Sequence, residues 1–93
     1  MSRYARRIDG NHKQIRDGLR QLGFFVWDTS RLGGGTPDLW VCQRSSNQAV
    51  WVEVKMPREN LTPDEVEFFA DCPPGNAIIA TSIDDVLAFF NSD

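Results

Sequence analysis

The chain has 93 residues, enough for one compact domain spanning 1–93 and too few for two. Its 41% hydrophobic and 25% charged residues match an ordinary soluble globular protein, and no apolar run approaches the roughly 18 residues that span a bilayer. The net charge of −3 hides a division: residues 1–59 hold all ten basic residues and sum to +4, while residues 60–93 sum to −7.

The basic start, Met1 to Arg7, has no apolar stretch behind it and does not read as a secretory signal, so a cytosolic location is expected. Residues 11–22, "NHKQIRDGLRQL", put Ile15, Leu19 and Leu22 on one side at i, i+4 and i+7, which predicts an amphipathic helix ended by Gly23. "FFVW", 24–27, is aromatic and β-branched and predicts a strand. The aperiodic "DTSRLGGGTP" that follows, with three consecutive glycines, predicts a mobile loop.

"DLWVC", 38–42, and "AVWVEVK", 49–55, read as two strands of a hairpin turned by "QRSSNQ". "LTPDEVEFF" starts a helix sharply, with Thr62 as N-cap, Pro63 at the first helical position and Glu65 closing a capping box. That helix is expected to run to about Cys72, stop at "PPG" and lead into a strand "NAIIATS". Ser82, Asp84 and Asp85 then start a last helix carrying Val86, Leu87 and Phe90. The order αβββαβα predicts an α/β sandwich around a mixed central sheet.

Chemistry concentrates in the hairpin. Alternation along "VWVEVK" places Trp51, Glu53 and Lys55 on one side and Val50, Val52 and Val54 on the other. Pairing centred on the turn brings Asp38, opening one strand, close to Glu53, closing the other. Two carboxylates so placed repel each other, and a cation that holds both ionised relieves this. Cys42 and Cys72 form no CxxC pair and His12 is the single histidine, so a Cys/His zinc site is excluded and any metal must take oxygen ligands, as Mg²⁺ or Mn²⁺ does. Such an ion polarises a phosphoryl oxygen and activates water, while a neighbouring lysine orients the water and stabilises phosphate charge. Taken singly, Pro-Asp is a common turn and Glu-x-Lys a common surface pair; together, in this order around one hairpin, they point to phosphodiester hydrolysis.

"GGGTPDLWV" followed by "WVEVK" resembles the PD-(D/E)xK nuclease superfamily, specifically the short, stand-alone phage-type members of the VRR-NUC family. The likeness extends over most of the chain, from "RIDGNHKQIRDGLRQLGFFV" to "ATSIDDVLAFF". It implies a restriction-endonuclease-like fold, Mg²⁺ or Mn²⁺ dependence, and cleavage of branched, Holliday-junction-like DNA by a homodimer. It also implies that Asp38, Glu53 and the Val54 carbonyl hold metal and that Lys55 is the catalytic lysine. Where the family carries a glutamate on the first helix, this chain has Gln14, a candidate site residue whose carbonyl can accept a hydrogen bond from metal-bound water or bind metal weakly but which lacks the charge; a catalytically weak or inactive DNA-binding or protein-interaction module is therefore the alternative reading. Asn11-x-x-Gln14 is also compatible with a local capping box.

Arg6, Arg7, Lys13, Arg16, Arg20, Arg31 and Arg58 are candidate phosphate contacts, and Gly34 and Gly35, with Gly33, would let backbone approach DNA. No GK[ST] follows the glycines, so a nucleotide cofactor on a P-loop is not expected. The doublets Phe24-Phe25, Phe68-Phe69 and Phe89-Phe90 give more aromatic surface than a small core obviously needs, which makes Phe68 or Phe89 candidates to face a partner subunit, although core filling is the better reading of them.

Overall fold

A computed structural model of the protein describes residues 10–91. Seven elements follow one another in the expected order: α1 (His12–Gln21), β1 (Phe25–Asp28), β2 (Leu39–Gln43), β3 (Gln48–Val54), α2 (Pro63–Asp71), β4 (Ala77–Ala80) and α3 (Ile83–Asn91). β1 starts one residue later than its apolar run suggests, because Phe24 turns into the core while Phe25 begins the ladder. α1 ends at Gly23, whose positive φ of 95° is the left-handed conformation glycine adopts without a Cβ penalty.

The sheet order is β1-β2-β3-β4. The first three strands form an antiparallel meander, and β4 joins β3 in parallel after the α2 crossover. The sheet is therefore mixed, in a small α/β domain with three helices. Leu39 pairs with Val52 and Val41 with Val50, and these four side chains are fully buried on one face. Ile15 and Leu19 of α1 and Val86 and Phe90 of α3 pack into the same cluster, together with Phe24, Val26, Val54 and Ala80. Burying each of the larger side chains of this cluster contributes about 1.5–3 kcal/mol relative to exposure.

The opposite face is covered unevenly. α2 crosses it near Trp51, whose ring meets Phe68 edge-on at 5.6 Å, yet no side chain of α2 is fully buried. Phe68 and Phe89 are both partly buried within the chain, and the exposed member of the phenylalanine doublets is Phe25. Among the described residues no helix is long and apolar enough to cross a membrane.

Candidate active site

One end of the sheet collects the polar chemistry. The ends of β1, β3 and β4, the start of β2 and the N-termini of all three helices meet there, because β2 alone runs opposite to its neighbours. Leu39 pairs with Val52, so one step further along the hairpin sets Asp38 opposite Glu53. Both carboxylates lie on the Trp40 and Trp51 face, away from the aliphatic core. Asp38 is fixed by its neighbours: its Oδ2 accepts the Val54 N–H at 2.8 Å, and its carbonyl accepts the Thr29 N–H at 2.8 Å. Thr29, itself buried, donates its hydroxyl to the Pro37 carbonyl at 2.6 Å and so clamps the turn that delivers Asp38.

Glu53 is only 3% exposed, and its Oε1 is buried with no hydrogen-bond partner. Burial, reinforced by the negative charges of Asp38 and Glu65, pushes its carboxyl up to about 9. Burial also raises Asp38, against the Val54 amide, which favours its ionised form. Without a compensating cation the pair thus retains a proton in neutral solution.

Lys55, 5% exposed, is the first residue after β3, which ends at Val54, one residue short of the expected strand. Its Nζ lies 2.8 Å from Glu65, 3.7 Å from Glu53 and 3.8 Å from Glu59. Burial alone would favour the neutral amine, but the hydrogen bond to Glu65 and the three nearby acids outweigh it and raise the ammonium's pKa. Lys55 is therefore a fixed cation and not a base. Glu65 makes this possible: its Oε1 accepts both the Thr62 N–H at 2.9 Å and the Lys55 ammonium. The residue that completes the capping box of α2 is also the tether of the lysine. Sequence reasoning gave Glu65 only the first role; the signal for the second is its place in the first turn of a helix that starts soon after β3 ends.

The donor set fits a hard divalent cation. It offers two carboxylates, one with an orphaned buried oxygen, and the Val54 backbone, whose amide already points at Asp38; in an extended strand the carbonyl of that residue points to the same side. Among the described residues no three His, Cys, Asp or Glu side chains converge on a common point as a metal group, so protein ligands alone would leave part of an octahedral shell to water or substrate.

Gln14 is exposed and lines a shallow pocket with Asn11, Ile15 and the start of α3, and no hydrogen bond joins it to Asp38 or Glu53. Asn11 is the N-cap of α1 but makes no side-chain capping bond. Its amide instead donates to the carbonyls of Lys55 at 3.1 Å and Thr81 at 2.8 Å, pinning α1 to the ends of β3 and β4. His12 is buried and its Nε2 lies 3.1 Å from Asp28 Oδ2, in a network that also includes Arg16 and Ser30. Burial would raise Asp28, but hydrogen bonds from Ser30, His12 and Arg16 outweigh it and hold its carboxyl well below the usual range.

Arg6 and Arg7 lie outside the described residues. Lys13 and Arg16 are engaged by Asp17, and Arg16 also by Asp28. Arg31 lines a cavity with Arg16, Asp28 and Ser30, and Arg58 occupies an exposed turn with φ 72°. Gly33, Gly34 and Gly35 all have positive φ, but only Gly35 is packed against anything: a Cβ there would collide with the backbone carbonyl of Asp64 at the start of α2. No protein-family model, curated protein or solved structure matches the chain.

Proposed function

We propose that this domain is a Mg²⁺- or Mn²⁺-dependent deoxyribonuclease that hydrolyses phosphodiester bonds. The observation that carries this reading is the opposition of Asp38 and Glu53 across the hairpin, with one Glu53 oxygen buried and unpartnered and Lys55 held as a cation beside them. Asp38, Glu53 and the Val54 carbonyl would hold the ion. When bound, the ion supplies Lewis-acid charge to a phosphoryl oxygen and lets both carboxylates ionise. Lys55 places a permanent positive charge where phosphate charge grows during in-line attack by water, and Glu65 and Glu59 keep that ammonium from swinging into solvent. No side chain in the site is set up as a nucleophile, so hydrolysis proceeds without a covalent enzyme intermediate. The resemblance to stand-alone VRR-NUC proteins extends the proposal to branched DNA cut by a homodimer.

The test is incubation with linear, flap and four-way DNA in Mg²⁺ and Mn²⁺. The parent protein is expected to cut, and Asp38→Ala and Lys55→Ala to lose cutting by at least about a hundredfold, the scale of removing one transition-state charge contact. Equal cleavage by parent and variants overturns the site assignment.

Gln14 favours a second reading, a nuclease-like module that binds DNA without cutting, since it brings no charge and no hydrogen bond to the carboxylates. Salt-dependent DNA binding without cleavage in either metal would select that reading, whereas an interaction module unrelated to nucleic acid would show no such binding.

A further inference from the structure

On the face of the sheet that carries Asp38 and Glu53, α2 reaches only as far as Trp51. Beyond it, the β1 and β2 side of this face lies open. Phe25, 46% exposed, sits opposite Cys42, and Trp27, 52% exposed, sits opposite Trp40. The register continues the second row from Trp40 to Trp51, whose rings are 4.7 Å apart, and on to Phe68. Trp27 leaves half of a large ring in water in a domain with little apolar surface to spare.

Three observations bear on the kind of ligand this ledge suits. The row Trp27-Trp40-Trp51 is the next one along the strands from Asp38 and Glu53 on the same face, about 7 Å away by strand geometry. The neighbouring sheet edge is cationic: Arg20, reaching round from α1 on the other face, donates to the outward Val26 carbonyl of β1, and Arg44, in the hairpin turn, donates to the Gly23 carbonyl just before β1. Neither arginine has an acidic partner among the described residues, which leaves their charge for a ligand. Finally, Arg20 occupies an outward carbonyl of the edge strand, which obstructs pairing by another strand and leaves the ring faces as the contact surface. Flat aromatic rings on a sheet, edged by arginines, are suited to stacking bases that are not paired with a complementary strand.

We propose that Phe25, Trp27 and Trp40 form a stacking platform for unpaired DNA bases beside the carboxylate pair, so that the domain engages single-stranded stretches of its substrate. The proposal rests on the reading of DNA as the substrate, and a duplex, whose bases are stacked internally, has nothing to place on this ledge.

The experiment titrates the protein in EDTA, where no metal-dependent cutting occurs, with labelled oligo(dT) and with a blunt duplex of equal length. Tryptophan emission should be quenched by oligo(dT). Trp27→Ala should weaken oligo(dT) binding about tenfold, within the range for loss of one stacked base, with duplex binding little changed and Trp27→Phe retaining most of the affinity. An unchanged thermal melt identifies the Trp27→Ala variant as folded; Phe25→Ala provides an independent second probe of the platform. The proposal is overturned if the parent does not bind oligo(dT), if folded Trp27→Ala and Phe25→Ala both bind it like the parent, or if duplex binding falls equally. It is also overturned if Trp27→Ala changes only the sedimentation of the protein, which assigns the ledge to a second copy of the chain. Oligo(dT) binding that depends on Trp27, with no cleavage in Mg²⁺ or Mn²⁺, leaves the platform standing and removes the nuclease.

Discussion

Glu53 carries the largest electrostatic strain of the described site, and its consequence is measurable without any DNA. Its carboxyl is raised from the ordinary 4.5 to about 9 by burial and by Asp38 and Glu65. Between those values the folded chain keeps a proton that the unfolded chain releases, so unfolding gains from rising pH. The stabilising contribution is complete below the ordinary carboxylate range and is lost as pH climbs through the raised value. In EDTA the melting temperature should therefore fall from about pH 5 to about pH 9. Glu53→Gln, which stays neutral at the same volume, should show a flatter profile over that window, with the remaining slope coming from Asp38, raised in the same direction. A parent melting temperature that is constant or rising across the window would contradict the burial and coupling described for this pair. Lys55 does not share this behaviour, because its pKa is raised from an already high value and it stays charged throughout.

Among the elements, α2 is the least anchored and the most consequential. With no buried side chain, it is held to the sheet by the Phe68 ring on Trp51 and by Glu65 on Lys55. The glycine loop adds a third contact, because Gly35 fits beneath the Asp64 carbonyl only without a Cβ. Gly35→Ala is expected to push the first turn of α2 off the loop and loosen the tether on Lys55, at a cost of about 1–3 kcal/mol from the clash and the positive φ. Hydrogen exchange should then quicken in α2 while β2 and β3 stay protected, and Gly34→Ala, where a Cβ meets open space, should leave α2 docked. If both variants leave exchange in α2 unchanged, the loop does not support the helix. Such coupling explains what could be read in advance. The hairpin was legible because a two-residue period and a polar turn fix its register, and that register alone sets Asp38 opposite Glu53. The capping box was legible as a helix start, but Glu65's reach to Lys55 depends on where a crossover helix lands, which no local pattern encodes. The same holds for Asn11: its spacing to Gln14 suggested a local cap, yet its amide is spent on carbonyls 44 and 70 residues away.

Across the whole molecule, the separation of charge along the chain does not translate into a uniformly basic surface. Several cations of the basic half already have acidic partners: Lys13 and Arg16 are paired with Asp17, Arg16 also with Asp28, and Lys55 is held chiefly by Glu65 of the acidic half. Among the described residues, Arg20, Arg31, Arg44 and Arg58 have no acidic partner, and these four border the open sheet face, the cavity beside Asp28 and the turn after β3. Counting charges in sequence could not make this distinction, since it depends on which acids the fold brings alongside. It bears directly on DNA binding, because only a cation that transfers from water to phosphate releases counterions, whereas one already paired with a carboxylate must first break that pair. Measured as log affinity against log salt, the slope should become shallower by about 1 for Arg31→Ala and for Arg44→Ala, as one phosphate contact is lost in each. Lys13→Ala should leave the slope nearly unchanged, since its ammonium is held 2.9 Å from Asp17. A larger loss of slope at Lys13 than at Arg31 and Arg44 would show that DNA approaches α1 directly and that the open arginines lie off its path.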